Sequence, residues 1–335
     1  MSGFGAVISG CAGPRLSPAE RDLFRDLRPF GYILFDRNLE EPGQIRALCE
    51  ELRDCVDHAA PILIDQEGGR VQRLRPPLAR DWPAPFDFVA QAGAGAEQAM
   101  RLRYRLIAEE LRALGIDTNC APLVDVAEHT THPFLRNRCY GTDAQGVTRI
   151  GRAVAEGLMQ GGVYPVIKHV PGHGRAQADS HRDLPRVAAD RVALSRDFAP
   201  FAALADLPMA MTAHIVYDAL DTRPATLSPV VMDTIREEIG FQNLIMTDDI
   251  SMRALTGDVA QNARGAIVAG CDAVLHCNGD FKEMRAVAEA AGAMTDAAQA
   301  RAEAVLQNRP KAQPVDIAAL TAELEALLNG RDHGG

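Results

Sequence analysis

Val163-Tyr164-Pro165-Val166-Ile167-Lys168-His169-Val170-Pro171-Gly172-His173-Gly174 is an apolar run that turns abruptly polar. Its first five residues read as a short buried strand, and the proline and glycines that follow oppose a simple continuation as strand or helix. A rigid element thus delivers a lysine and two histidines to a loop, the setting in which catalytic groups concentrate. Asp179-Ser180-His181 adds a carboxylate and a third histidine shortly afterwards.

The same pattern recurs along the chain. Candidate strands at 5–9, 31–35, 61–65, 117–124, 163–168, 208–214, 244–248 and 273–277 alternate with helical patterns such as 17–28, 42–58, 96–114, 143–161, 194–205, 228–239 and 259–270. Ser17-Pro18 and Ser228-Pro229 each place a capping hydroxyl before a proline suited to the first helical position. Alternation of this kind predicts an α/β fold, and eight strands predict a single (β/α)8 TIM-like barrel, with a doubly wound sheet as the other topology the pattern allows. What favours the barrel is the polar residue behind each apolar run: Asp36, Asp65, Asp125, Lys168, His214, Asp248 and His276. Any one of these could be a loop start or helix cap, but in a barrel they converge on one face. One catalytic domain is expected over residues 1–335, with a carboxy-terminal helix at about 316–328 and a flexible tail at 329–335.

Composition narrows the function. Of the 335 residues, 47% are hydrophobic and 24% charged, which opposes disorder for the bulk of the chain. A net charge of −10 argues against nucleic acid as the main partner, because phosphate binding needs a basic face. Seven cysteines form no CxxC pair and read as buried thiols; no stretch is long and apolar enough for a membrane span. A cytoplasmic location is the expectation, with no obligate protein partner evident. Aromatic residues are only 5%, so a long aromatic stacking platform is not expected. Trp82, the single tryptophan, reads as a packing residue.

Two further stretches carry chemistry. In Ile64-Asp65-Gln66-Glu67-Gly68-Gly69-Arg70-Val71-Gln72-Arg73 a strand runs into two carboxylates, two glycines and two arginines. Arginine forks and carboxylates suit vicinal hydroxyls or a carboxylate, while a salt-bridged turn is the alternative for Glu67 and Arg70. In Leu244-Ile245-Met246-Thr247-Asp248-Asp249-Ile250-Ser251-Met252 a strand ends in adjacent carboxylates. Strand alternation should turn only one inward; Asp248 is the choice, with Asp249 orienting or capping. A carboxylate there can attack a sugar's anomeric carbon. Lys168 is one of only three lysines, with Lys282 and Lys311, which suggests a compact point charge where a guanidinium would not fit.

Together these stretches resemble the family-3 glycoside hydrolases, specifically their cytoplasmic bacterial β-N-acetylhexosaminidase branch. The resemblance implies a retaining exo-enzyme that removes terminal N-acetylglucosamine from cell-wall fragments through a glycosyl-aspartate, without a cofactor or metal. Asp248 then falls on the nucleophile, and His181 with Asp179 on an acid/base dyad. Asp65, Arg73, Lys168 and His169 fall on residues that hold the sugar. Arg138 falls on another, although Arg138-Cys139-Tyr140 departs from the family's usual Arg-Ser-Phe; Val170 and Ile250 replace Phe and Leu and keep the apolar character. Imidazole, with an ordinary pKa of about 6.5, can exchange a proton with the leaving oxygen and with water near neutrality. Gly172 and Gly174 suggest that the loop bearing His181 moves on binding.

The residues leave other chemistries open. His169, His173, His181, His214 and Asp248 could build a metal-dependent hydrolase site, although Pro171-Gly172 opposes the helix that i,i+4 histidines need. Phosphate in place of water would make the enzyme a β-N-acetylhexosamine phosphorylase. A sugar-binding protein without turnover would need neither Asp248 nor the dyad.

Overall fold

A computed structural model describes residues 3–177 and 183–329. Eight parallel strands close into a barrel in sequential order. They are β1 (Gly5–Ser9), β2 (Pro29–Leu34), β3 (Ile62–Ile64), β4 (Thr118–Asn119), β5 (Tyr164–Val170), β6 (Met209–Thr212), β7 (Leu244–Asp249) and β8 (Ala273–His276). The apolar runs read as strands are the barrel staves, and their side chains form one continuous core with the surrounding helices. That is the (β/α)8 architecture expected from the sequence.

Local chemistry starts the helices where the caps predict. Helix α1 (Pro18–Leu27) opens with a capping box, Ser17 Oγ accepting from the Glu20 N–H while Glu20 accepts from the Ser17 N–H. Ser228 caps Pro229–Asp233 in the same way, but the helix expected over 228–239 continues as a π turn over Thr234–Glu238. Two helices after β8, Phe281–Ala291 and Asp296–Gln307, were not among the segments singled out from sequence. The helix expected near the carboxy terminus spans Ile317–Asn329 and packs on Ala96–Arg112. Among the described residues no helix is long and apolar enough to cross a membrane.

Three strand ends differ from expectation, and each difference shapes the site. The segment 117–124 is continuous strand only at Thr118–Asn119; Pro122 has no N–H to give the ladder, and pairing resumes as a single bridge between Leu123 and Lys168. Strand β5 does not stop at Ile167 but runs through Lys168, His169 and Val170. Its register slips between Lys168 and Val170, which pair with successive residues Met211 and Thr212. Such a bulge breaks the strict inside-outside alternation, so both Lys168 and His169 line the same cavity. A second irregularity lies between Met246 and Asp249 of β7. It brings Asp249 to the cavity wall beside Asp248, whereas alternation alone assigned only one of them there.

Candidate active site

The carboxyl ends of the strands open into a cavity of about 440 Å³ whose wall includes Asp65, Arg73, Arg138, Lys168, His169 and Asp248. Six of the eight residues singled out from sequence therefore converge, from β3, β5, β7 and two loops. The other two, Asp179 and His181, lie outside the described residues.

One wall is a network of buried ions. Behind β3 the chain makes a small hairpin, Gln66–Gly68 against Val71–Gln72. Gln66 braces it, its Oε1 accepting from the N–H groups of Arg73 and Leu74 at 3.0 Å each. Gly68 makes the turn possible: it sits at φ +110°, and a Cβ there would lie 1.9 Å from Arg103 Nη2. The hairpin presents Asp65, whose Oδ1 accepts from Lys168 Nζ at 2.9 Å and whose Oδ2 lies 3.3 Å from Arg73 Nη2. Glu67 lies 2.6 Å from Lys168 Nζ and forms a two-point pair with Arg138, at 2.9 Å to Nε and 2.8 Å to Nη2. Burial alone would raise both carboxyl pKa values, but the surrounding cations win: Asp65 is held well below the usual range and Glu67 near about 2. Burial would lower Lys168, but Asp65 and Glu67 raise it above its ordinary value. The cluster is thus fully ionised across the working pH range.

A second buried carboxylate organises the histidines. Asp125 Oδ2 lies 2.8 Å from His169 Nδ1, and Oδ1 accepts from the His173 N–H at 2.6 Å. Burial opposes its charge, yet His169 leads the groups that hold its pKa below the usual value. With Nδ1 turned to Asp125, His169 directs Nε2 elsewhere. His173 also lines the cavity, buried, with neither ring nitrogen hydrogen-bonded among the described residues. Burial, aided by His169, lowers its pKa to about 4, so it is neutral near pH 7.

Asp248 Oδ1 accepts from the Asp249 N–H at 2.8 Å, which fixes the carboxylate at the strand end. Asp249 accepts from Ser251 Oγ at 2.8 Å and from the Cys277 N–H at 3.2 Å, so it ties β7 to β8 although it also reaches the cavity.

The glycines of the following segment allow close approach to neighbouring backbone. A Cβ on Gly174 would lie 1.9 Å from the Val126 carbonyl oxygen, and one on Gly172 would lie 3.1 Å from Asp197 Cβ. Tyr217 Oη donates to the Gly172 carbonyl at 2.5 Å, and Thr131 Oγ1 donates to that of Gly174 at 2.5 Å. Gly172 and Gly174 are thus held against neighbouring backbone, and the stretch of the loop that bears His181 lies outside the described residues.

For a metal, Asp125, His169 and His173 are the described residues whose ligand atoms come together, within 4.8 Å. Asp125 and His169 already satisfy each other in that group. His214, part of the metal set considered from sequence, is committed elsewhere: Nδ1 to Thr226 Oγ1 at 2.8 Å and Nε2 to the Asp249 carbonyl at 2.9 Å. Trp82 packs over Arg103, donates to Glu110 Oε2 at 3.2 Å and does not line the cavity.

Glu67, Asp125 and His173 are the residues that sequence reasoning left without a role in the site. Asp125 carried a signal, a carboxylate directly behind an apolar run, but so does a helix cap. His173 carried only its place in the histidine-rich stretch.

A barrel whose strand ends gather carboxylates, cations and imidazoles around a pocket of this size is an enzyme scaffold whose groups suit a polyhydroxylated substrate. Residues 14–307 match the Glycosyl hydrolase family 3 N terminal domain, and the chain belongs to that family and is a glycoside hydrolase. It is 38% identical over 283 residues to a beta-hexosaminidase of Alkalilimnicola ehrlichii, covering 82% of this chain and 81% of that one. It is 39% identical over 272 residues to a beta-hexosaminidase of Methylococcus capsulatus, covering 79% and 80%. The structure resembles NagZ from Neisseria gonorrhoeae in complex with N-trifluoroacetyl-D-glucosamine, with a TM-score of 0.80 at 29% identity over 98% of this chain and 99% of that one.

Proposed function

We propose that this chain is a retaining exo-β-N-acetylglucosaminidase acting on terminal N-acetylglucosamine of cell-wall muropeptide fragments. The observation that carries the reading is a carboxylate, Asp248, fixed at the end of β7 on the wall of a cavity that Lys168, Arg138, Arg73 and Asp65 also line. Asp248 attacks the anomeric carbon and forms a glycosyl-aspartate. His181, supported by Asp179, protonates the leaving oxygen and then activates water. Lys168, Arg73, Arg138, Asp65 and His169 bind the hydroxyl and acetamido groups of the terminal sugar. The names of the beta-hexosaminidase relatives support the hexosamine preference, and the cavity's volume of about 440 Å³ supports exo-action on one residue. A cytoplasmic site of action suits seven unpaired, buried thiols.

The test is a panel of aryl β-glycosides differing only at C2, followed by a muropeptide. Turnover of the 2-acetamido compound with none of the 2-hydroxy compound, and release of N-acetylglucosamine from the muropeptide, is the expected result. Preference for the 2-hydroxy sugar would reject the assignment. Release of sugar 1-phosphate when phosphate is added would replace hydrolysis with phosphorolysis.

A further inference from the structure

We propose that Glu67 is the positioning residue of the sugar pocket: a carboxylate that never meets substrate but holds Lys168 and Arg138 in place to do so. The inference rests on the proposed glycosidase reading and extends it to a residue behind the pocket wall.

Geometry separates Glu67 from its neighbours. Lys168 and Arg138 both line the cavity, whereas Glu67 does not and is only 1% exposed. Both of its oxygens are taken: Oε1 by Lys168 Nζ at 2.6 Å and Arg138 Nη2 at 2.8 Å, Oε2 by Arg138 Nε at 2.9 Å. No acceptor capacity faces a ligand.

The cations keep donors in reserve. A lysine ammonium has three N–H bonds and a guanidinium five. Lys168 directs one to Asp65 and one to Glu67, which leaves a third. Arg138 uses Nε and one Nη2 hydrogen on Glu67, which leaves the second Nη2 hydrogen and the two on Nη1. The bridge therefore sets where the remaining donors point.

Charge makes the bridge necessary as well as convenient. Lys168 and Arg138 repel each other, and without Glu67 only Asp65 would offset that repulsion at Lys168. Asp65 is shared with Arg73. The groups facing Lys168 are Asp65 from the end of β3, Glu67 from the hairpin, Arg138 from the loop before Ala144–Gln160, and Cys120 beside β4.

The hairpin itself is held from behind. Arg103, wholly buried, donates through Nη2 to the carbonyls of Glu67 at 2.6 Å and Pro83 at 2.7 Å. The backbone of Glu67 is thus fixed independently of its side chain, so a change of side-chain charge can be read without loss of the turn.

The experiment compares wild type, Glu67→Gln and Glu67→Asp on an aryl N-acetyl-β-glucosaminide. Wild-type turnover is the control that tests the glycosidase reading separately, since its absence rejects that reading and not this one. For Glu67→Gln we expect KM to rise by about ten- to a hundredfold with kcat within about threefold, because ground-state sugar contacts are misplaced while Asp248 is untouched. Glu67→Asp keeps the charge but cannot reach both cations, so KM should rise here too, with kcat again within about threefold. If Glu67→Gln does not fold, Glu67→Asp alone decides through KM. An unchanged KM in whichever variant folds, or a fall in active-enzyme fraction with unaltered KM, would overturn the proposal.

Discussion

Lowering the pH should destabilise the protein through one residue, His173. Its ring is buried with neither nitrogen hydrogen-bonded among the described residues, and burial together with His169 holds its pKa down to about 4. In the unfolded chain it titrates near about 6.5. Between those values the unfolded chain binds a proton that the folded chain does not, so stability is lost as pH falls from about 6.5 toward about 4. At about 1.4 kcal/mol per pH unit, going from about pH 7 to about pH 5 removes about 2 kcal/mol through this ring. Asp197 works in the opposite sense: burial raises its carboxyl pKa to about 6, so the folded state holds that proton more tightly than the unfolded one. The two effects partly cancel in the wild type. The difference between wild type and His173→Gln, which keeps a donor and an acceptor but does not titrate, isolates the histidine. Urea unfolding at both pH values should show the wild type losing about 2 kcal/mol more than the variant on acidification. Equal losses in the two proteins would refute the reading that His173 stays neutral in the pocket wall.

Other perturbations have equally definite outcomes. Gly174→Ala drives a methyl onto the Val126 carbonyl and should destabilise by about 3 kcal/mol, whereas Gly13→Ala, with open space around it, should change stability by less than about 0.5 kcal/mol in the same denaturation assay. All seven thiols are buried, and burial raises Cys11 and Cys49 to about 12. A thiol reagent at about pH 8 should therefore label fewer than about one thiol per native chain, and all of them after unfolding. His181→Ala should slow hydrolysis of natural sugar leaving groups by about 10²–10⁴-fold while sparing nitrophenolate, which needs no proton; equal loss on both would deny it the acid role.

Much of the architecture was legible because each stave is an apolar run ended by a polar residue, and that rhythm survives without knowledge of contacts. The ends of the staves were less legible. Strand β5 was expected to end by Lys168, but a bulge carries it to Val170 and turns Lys168 and His169 to one side. A bulge depends on the partner strand, which local sequence does not reveal. The same reason hid the place of Asp249. Residue types at the site were legible from Asp65, Lys168 and Asp248, but their pairing was not: Lys168 and Asp65 are 103 positions apart. Glu67 was hardest to see, since a carboxylate in a polar turn is usually a surface ion pair, and only the folded chain puts it behind the pocket wall. The close approaches at Gly172 and Gly174 were hidden for a related reason: sequence shows that a side chain is missing but not the neighbouring backbone that fills its space.

The central claim is that the Asp248 carboxylate becomes covalently attached to the sugar. Incubation with a fluorinated N-acetylglucosaminyl donor, which forms the intermediate faster than water removes it, followed by proteolysis and mass spectrometry, tests this directly. The account predicts a glycosyl adduct on the peptide containing Asp248, with none formed by Asp248→Ala. An adduct on any other residue, or full activity of Asp248→Ala, would contradict it.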